Sequence, residues 1–202
     1  MSDIERLKFN IFLLGDTQVG KTSMIEALEG KPFRDTNLST IGVDFIFKSA
    51  VFDGKKYDFK IYDTAGQERY QSIGDANLKI SDGFLLVFSV DKKNTLDRID
   101  RWIENIEKNV DTKEKVLMLV GNKNDVEERE VSNEDGMKFA KEKKFKYFET
   151  SAKTKYGIKE VFDEMFNDIY QLSKKLENNG NQIEPNAKLD KKDLTKKKKR
   201  RC

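Results

Sequence analysis

The sequence predicts an α/β fold in which a six-stranded, mostly parallel sheet has one antiparallel edge strand and helices on both faces. Strand-length segments that are apolar, or in which apolar and polar residues alternate, are separated along the chain by segments with helical periodicity. This order is typical of a parallel sheet covered by helices on both faces. The exception is the turn "DGKK", in which Asp53 and Gly54 join the second and third strands as a hairpin. This hairpin supplies the antiparallel edge.

The predicted strands, in chain order, are "KFNIFLL" at 8–14, "DFIFKSAVF" at 44–52, "KYDFKIYD" at 56–63, "GFLLVFSV" at 83–90, "KVLMLVGN" at 115–122 and "KYFETS" at 146–151. Helical periodicity covers 21–29, 94–109, 132–143 and 158–177. Right-handed crossovers bring the loops that follow the parallel strands to one edge of the sheet, where open α/β sheets bind ligands.

Composition excludes several classes of chemistry. The chain of 202 residues contains no histidine and a single cysteine, Cys202. Imidazole bases, serine–histidine nucleophiles and histidine zinc sites are therefore excluded, and any metal would have oxygen ligands. The lone thiol cannot form an intramolecular disulfide, and no signal peptide or transmembrane stretch is apparent. We expect a cytoplasmic protein.

Charge divides the chain into two parts. Residues 181–202 carry a net charge of +6. Because the whole chain has a net charge of +3, residues 1–180 carry −3. From about Asn178 the sequence has few apolar residues and no periodicity, so we expect a domain at 1–177 and a disordered basic tail at 178–202. Nucleic-acid binding is not expected, because that function places basic residues on the folded domain itself.

The segment "GDTQVGKT" from Gly15 to Thr22 follows the first strand and opens the first helix. This is the pattern and context of a phosphate-binding loop. Backbone N–H groups from about Gln18 to Thr22 would face phosphate oxygens, Lys21 would reach the β and γ phosphates, and the Thr22 hydroxyl would ligate magnesium.

The segment "DTAGQE" at 63–68 closes the third strand. Beside a phosphate-binding loop, the Asp63 carboxylate would hold magnesium through a water molecule. The N–H of Gly66 would meet a γ-phosphate, and Gln67 would orient the attacking water. The ends of the first and third strands would thus contribute residues to the same catalytic site.

Two further segments, "GNKND" at 121–125 and "ETSAK" at 149–153, end the fifth and sixth strands and predict a guanine site. The Asp125 carboxylate can accept hydrogen bonds from N1–H and the exocyclic amine of guanine, and the Ala152 N–H can donate to O6. Adenine lacks this pattern, and a site of this kind rejects it by roughly 10⁴-fold or more. Lys123 would lie along the base, and Asn122 would tie the loops together.

The set "GDTQVGKT", "STIGVDF", "DTAGQE", "GNKND" and "ETSAK" resembles the Ras superfamily of small GTPases over roughly residues 8–175. Within it, "TIGVDF", "DTAGQERY" and "RWIENI" are most similar to the Rab family of vesicle-traffic regulators. The resemblance implies a P-loop small G domain and a GDP/GTP switch with slow, partner-assisted hydrolysis. It also implies effectors that read two switch regions, around 34–45 and 63–80, together with an exchange factor and a GTPase-activating protein.

The resemblance also implies roles for individual residues. Thr40 would be the threonine of the first switch region, whose hydroxyl ligates magnesium and whose N–H contacts the γ-phosphate. Phe33 would pack against the guanine ring. The implied catalytic set is Gln67, Lys21 and Thr40, and the implied magnesium ligands are Thr22, Thr40 and Asp63. The implied nucleotide contacts are Gly15, Gln18, Val19, Gly20, Lys21, Thr22, Ser23, Phe33, Thr40, Gly66, Asn122, Lys123, Asp125, Ser151, Ala152 and Lys153.

Three departures from the Rab pattern keep alternatives open. Tyr62 replaces the usual tryptophan of an aromatic trio with Phe45 and Tyr70, and "ANLKISDG" at 76–83 is atypical. Thr17 and Gln18 occupy phosphate-loop positions where Rabs have small residues, so hydrolysis is expected to be slow. A Ras-like signalling GTPase and a poorly hydrolysing GTP-binding module therefore remain alternatives.

The tail predicts a membrane anchor. Six consecutive basic residues, 196–201, precede the terminal Cys202. Prenylation of this cysteine plus attraction of the basic run to an anionic leaflet would anchor the protein to the cytosolic face of intracellular membranes. The lone cysteine matches neither the paired cysteines of Rabs nor a C-a-a-X ending. A charged solubilising tail or a nuclear-localisation-like cluster is the alternative.

Overall fold

The computed structural model of the protein describes residues 8–34, 43–64 and 75–178. The strands are β1 (Lys8–Leu14), β2 (Val43–Phe52), β3 (Lys55–Thr64), β4 (Gly83–Ser89), β5 (Val116–Asn122) and β6 (Lys146–Glu149). The helices are α1 (Lys21–Leu28), α2 (Asp75–Lys79), α3 (Lys93–Asp97), α4 (Ile99–Asn109), α5 (Asn133–Lys143) and α6 (Ile158–Asn178), with a 3₁₀ turn at Thr112–Glu114.

The six strands form one sheet in the order β2-β3-β1-β4-β5-β6. Every neighbouring pair is parallel except β2 with β3, so the predicted fold class and its antiparallel edge are confirmed. Strand order reverses next to β1, whose neighbours are β3 and β4. The carboxyl ends of β1, β3, β4, β5 and β6 therefore face the same edge, which is where a ligand is expected.

The hairpin turn lies at the predicted position. Asp53 and Gly54 have φ angles of 48° and 73°, the left-handed pair that a two-residue hairpin turn requires. Asp53 also accepts a hydrogen bond of 2.7 Å from the Tyr170 hydroxyl, and it forms an ion pair with Lys174 at 2.5 Å. The hairpin tip is thus attached to α6.

Each face of the sheet buries its own apolar core. One core is formed with α1 and α6, where Phe59 stacks on Phe166 with a centroid distance of 4.2 Å. The other is formed with α2, α3, α4 and α5, and includes Leu78 and Ile103. Burial of each such side chain stabilises the fold by about 1.5–3 kcal/mol. This two-sided burial accounts for the uninterrupted apolar sequence of β4, which is buried along its whole length.

The structure differs from the predicted elements at two places. A helix predicted at 94–109 is divided at Arg98, although Leu96, Ile99 and Ile103 keep one apolar face across the break. The five-residue helix α2 was not predicted, because five residues are too few to show a helical period; its Leu78 belongs to the core.

Helix α5 begins one residue after the prediction, since Ser132 is its N-cap. The Ser132 side chain accepts from the Asp135 N–H at 3.1 Å, and Asp135 in turn accepts from the Ser132 N–H. The acidic segment before α5 is the predicted exposed loop and helix start. Across the described ranges, none of the helices has the length and apolar character needed to cross a membrane.

Candidate functional site

The phosphate loop connects the buried carboxyl end of β1 to the first turn of α1. Gly20 has φ 95° and Gln18 has φ 63°, both in the left-handed region, so the loop curls back toward the helix N-terminus. A Cβ on Gly20 would lie 2.3 Å from Asn122 Nδ2, and a Cβ on Gly15 would lie 2.0 Å from the Val87 carbonyl oxygen. Both glycines are therefore required by close packing, and the loop is a cradle of backbone N–H groups at a helix start.

Lys21, the first residue of α1, folds back into this cradle. Its side chain is buried, and Nζ donates to the carbonyl oxygens of Gly15 at 2.9 Å and Asp16 at 2.8 Å. Burial lowers its pKa to about 8, although the charges of Asp63 and Asp16 act in the opposite direction. A buried ammonium beside the loop N–H groups provides strong positive charge for phosphate.

Thr22 and Asp63 meet although they are 41 residues apart in the chain. The Thr22 hydroxyl donates to Asp63 Oδ2 at 2.7 Å, and Asp63 is buried at the end of β3. A hydroxyl and a carboxylate in contact, beside a phosphate cradle, are the oxygen donors that Mg²⁺ uses together with phosphate and water. The donor set therefore fits the implied metal.

Asn122 connects the phosphate loop to the two loops predicted to read guanine. Its Nδ2 donates to the Val19 carbonyl oxygen at 2.8 Å, and its Oδ1 accepts from the Thr150 hydroxyl at 3.1 Å and the Ala152 N–H at 3.3 Å. The side chain is almost wholly buried. Asn122 therefore contacts residues of the phosphate loop and of the loop that follows β6.

Asp125 is held in place by the sixth-strand loop. The Ser151 hydroxyl donates to Asp125 Oδ1 and accepts from the Thr154 N–H at 3.0 Å, while Lys153 Nζ lies 3.9 Å from Asp125 Oδ2. The Asn124 N–H donates to the Thr150 carbonyl oxygen at 3.0 Å. The two loops consequently place one carboxylate and the Ala152 N–H at the same carboxyl edge as the phosphate loop.

A second ion pair supports the loop that follows β6. The Arg129 guanidinium contacts both carboxylate oxygens of Glu149 and also donates to the Val131 carbonyl oxygen at 3.1 Å. Burial acts to raise the Glu149 pKa, but the hydrogen bonds from Arg129, Tyr147 and Asn133 lower it below its ordinary value. Glu149 therefore stays ionised and joins the segment before α5 to the end of β6.

The structure also identifies residues near the site that no motif indicated. Asp91, two residues beyond β4, pairs with Lys123, the two charged atoms being 3.2 Å apart. Arg98, at the break between α3 and α4, pairs with Asp16 of the phosphate loop at 2.9 Å. Asp91 and Arg98 belong to none of the quoted motifs, although their partners Lys123 and Asp16 do. The Asp91–Lys123 pair could have been anticipated only from the neighbouring strand ends.

The remaining predicted site residues have varied positions. Val19 is buried, Ser23 is half-buried, and Phe33 is 42% exposed at the end of a described range. An aromatic ring exposed to that extent is available for stacking. Thr40, Gly66, Gln67 and Cys202 lie outside the described residues.

The outer face of the β2–β3 hairpin forms an aromatic surface, defined here by Phe45, Phe47, Lys60 and Tyr62. Phe45 and Phe47 are 45% and 56% exposed, and their rings meet edge to face. The Lys60 ammonium lies 3.9 Å from the Phe45 ring centroid and 4.7 Å from that of Tyr62. The predicted pair of Phe45 and Tyr62 is therefore in contact, while Tyr70 lies outside the described ranges.

Known protein families include one that matches most of this chain. Residues 10–171 match the Ras family. The chain belongs to the Ras family. It is therefore a small GTP-binding protein and a GTP hydrolase, and members of this family generally bind GDP or GTP with Mg²⁺ and act with effectors, exchange factors and activating proteins.

Relatives of this Ras-family chain include several Rab proteins. It is 38% identical to Ras-related protein Rab-8A of Pongo abelii over 176 residues, covering 86% of this chain and 84% of the relative. It is 33% identical to Rab-18-B of Danio rerio over 190 residues, covering 92% and 93%. It is 38% identical to Rab-12 of Mus musculus over 164 residues, covering 80% and 67%. Within the Ras superfamily, the chain is most similar to the Rab group.

Proposed function

We propose that this protein is a Rab-like GDP/GTP switch that regulates vesicle trafficking, with slow intrinsic hydrolysis that a partner accelerates. The contacts of Asn122 are the observation that carries the proposal. They join the phosphate loop at Val19 to the base-reading loop at Ala152 over 2.8 and 3.3 Å. One nucleotide would therefore bind across both loops at the carboxyl edge of the sheet.

Each part of that nucleotide has a place in the proposed site. The loop N–H groups and Lys21 would hold the phosphates, and Asp125 with the Ala152 N–H would read the guanine. Thr22 and Asp63 would hold Mg²⁺, and the bound ion would neutralise negative charge on the phosphates. By family likeness, Phe33 would cover the base, and Lys123 would extend along it. Competition binding tests this assignment: GDP and GTP should displace a fluorescent GDP, and ATP should fail at far higher concentration. Equal displacement by ATP and GTP would overturn the guanine site.

Hydrolysis is assigned by family likeness to Gln67 and Thr40. The motif "DTAGQE" supplies a group to orient water, and the sequence offers no evident arginine finger of its own in the switch motifs. We therefore expect slow turnover and a large acceleration by an activating protein. Single-turnover hydrolysis by Gln67→Leu should be strongly reduced with GTP binding retained. An unchanged rate would refute the role of Gln67.

A poorly hydrolysing binding module is a second candidate, and the phosphate loop supports it. Thr17 and Gln18 are both exposed, and Gln18 has a left-handed φ of 63°, which is uncommon for a residue with a side chain. We infer that these side chains crowd an incoming activating arginine. The double variant Thr17→Ser with Gln18→Gly should then hydrolyse GTP faster than the parent protein in the presence of an activating protein. Equal rates would favour the slow but assisted switch.

The aromatic surface is proposed to receive effectors. Phe45 and Phe47 are too exposed to serve only the core, and β2 is the edge strand of the sheet. Phe45→Ser should weaken capture of a GTP-dependent partner while GDP affinity stays unchanged. Loss of nucleotide binding in the same variant would instead indicate a structural role for Phe45.

We further propose membrane attachment through the tail, with a lipid on Cys202 supplemented by the basic run at 196–201. One lipid chain alone gives marginal binding, and each basic residue near an anionic surface adds about 1 kcal/mol. Intact-mass measurement of protein from its native cell should show the lipid mass. An unmodified Cys202, with vesicle partitioning insensitive to Cys202→Ser, would refute the anchor.

A further inference from the structure

The ion pair between Asp91 and Lys123 lies beside the proposed guanine site. Lys123 Nζ is 3.2 Å from Asp91 Oδ2, and the two side chains are 30% and 26% exposed. Lys123 stands between Asn122 and Asp125, and its backbone is left-handed at φ 66°. The base-reading segment therefore presents one long cationic side chain whose ammonium is held by a carboxylate from the segment that follows β4.

The Asp91 side chain is itself held by a buried residue of β4. The hydroxyl of the fully buried Ser89 donates to Asp91 Oδ1, so Oδ2 remains to receive Lys123. Ser89 is fixed in turn because Thr95 Oγ1 lies 3.0 Å from its backbone nitrogen and 3.3 Å from its carbonyl oxygen. Asp91 is thus the fixed member of the pair, and Lys123 is the member that it positions.

The backbone on either side of the pair is fixed as well. The Val90 N–H donates to the Asn122 carbonyl oxygen at 3.0 Å, which joins the residues that precede Asp91 and Lys123 in the chain. Burial acts to raise the Asp91 pKa, but the Ser89 hydroxyl and the Lys123 ammonium lower it below its ordinary value. The carboxylate is consequently ionised at neutral pH and holds the ammonium in one direction.

We propose that Asp91 is a positioning residue for guanine nucleotide binding, acting through Lys123. Asp91 holds the Lys123 ammonium so that the four-carbon stem is already extended along the plane that the base will occupy. A lysine without this anchor would lose much of its rotamer freedom each time a nucleotide binds. Asp91 removes that cost in advance, which slows nucleotide release. This inference rests on the base site proposed above.

The test is the dissociation rate of a fluorescently labelled GDP in the presence of Mg²⁺. Asp91→Asn keeps an oxygen for Ser89 but replaces the charge that faces Lys123 with an amide. Dissociation should become about two- to fivefold faster, the change expected for loss of a partly exposed ion pair. Glu164→Gln is the matched control, because it removes one carboxylate from Lys146 at the opposite edge of the sheet. Its dissociation rate should equal that of the parent protein.

A double-mutant cycle separates positioning from a structural effect. Lys123→Met keeps an unbranched apolar stem and removes the ammonium. If Asp91 acts through Lys123, Asp91→Asn should add almost nothing in the Lys123→Met background. The same acceleration in both backgrounds, or a rate in Asp91→Asn equal to that of the Glu164→Gln control, would overturn the inference. A Lys123→Met variant that releases GDP at the parent rate would instead refute the proposed place of Lys123 on the base.

Discussion

The Asn122 amide and the Val19 carbonyl oxygen are joined by a hydrogen bond of 2.8 Å although 103 residues separate them in the chain. Asn122 comes from the end of β5, and Val19 from the middle of the phosphate loop. The bond therefore fixes the distance between the part of the site that holds phosphate and the part that reads the base.

Asn122→Ala should weaken GDP binding by about 5- to 100-fold, because a buried carbonyl oxygen and a buried hydroxyl lose their partner at a cost of about 1–3 kcal/mol. Titration calorimetry with GDP measures this change. Asn109→Ala is the control, since within the described ranges the Asn109 side chain hydrogen-bonds to Asn105 of the same helix, α4, far from the phosphate loop in the chain. An Asn122→Ala protein with the parent affinity would show that the two loops keep their spacing without this side chain.

Gly20→Ala should lose more GDP affinity and more stability than Gly30→Ala. Both glycines have left-handed backbones, at φ 95° and 83°, so each substitution carries a strain of about 1–2 kcal/mol. The Gly20 methyl group would meet Asn122 Nδ2 at 2.3 Å, whereas no atom of the described residues lies within 4 Å of a Cβ at Gly30. Urea unfolding and GDP titration of the two variants isolate the effect of the close approach. Equal losses would mean that Asn122 moves aside freely.

Asp125→Asn should shift nucleotide preference from guanine toward xanthine. The carboxylate accepts from the guanine amine, whereas xanthine carries an oxygen at that position and needs a donor. The Ser151 hydroxyl that now contacts Asp125 can still donate to the new amide oxygen. Competition of GDP and xanthosine diphosphate for the variant measures the ratio of affinities. A variant that weakens both nucleotides equally would place Asp125 outside the base-reading contact.

Asp82→Asn should stabilise the protein at neutral pH. Burial raises the Asp82 pKa to about 6, even though the carboxylate accepts the Asn10 N–H at 2.7 Å. The folded state therefore binds the proton more tightly than the unfolded state, and stability contributed by the protonated form is lost as pH rises through about 6. The charged form costs about 3 kcal/mol at pH 7, and an amide oxygen can accept the same N–H without that cost.

Urea unfolding of the parent and Asp82→Asn proteins at about pH 5 and pH 7.5 measures the change. The gain should be larger at the higher pH, by about 1 kcal/mol or more, because the parent carboxyl is ionised in the unfolded state at both pH values but in the folded state only at the higher one. Asp163→Asn, which removes an exposed carboxylate from a pair with Lys159, should change stability by less than about 0.5 kcal/mol at either pH. A gain for Asp82→Asn that is equal at both pH values would argue against titration of this carboxyl.

Much of the fold could be predicted because local patterns and long-range packing agree. The strand β4 is apolar throughout because both of its faces are buried, and the hairpin at Asp53 has a turn sequence that permits left-handed angles. The break at Arg98 could not be read from the sequence, since the apolar period continues across it from Leu96 to Ile99. Helix α2 was missed because five residues are too few to show a period.

The candidate site divides in the same way. Residues such as Lys21 and Asp125 lie in compact motifs whose spacing reflects one loop approaching one ligand. Asp91 and Arg98 act through ion pairs with Lys123 and Asp16 that are 32 and 82 residues away in the chain. A partner at that separation depends on which strands are neighbours. Only the sheet order could reveal these two residues.

The position of α6 at the end of the described fold has a consequence for how the chain folds during its synthesis. The sheet face built from β1 and β3 is covered by α1 and by α6, where Phe59 stacks on Phe166 and Phe52 stacks on Tyr170. Folding of domains during synthesis proceeds from the N-terminus as segments leave the ribosome. Because α6 is the last helix described, every strand emerges before the helix that covers this face. Until α6 has been synthesised, Phe52 and Phe59 lack the rings that they stack on, so we expect the nascent chain to expose this apolar face to chaperones that bind apolar segments.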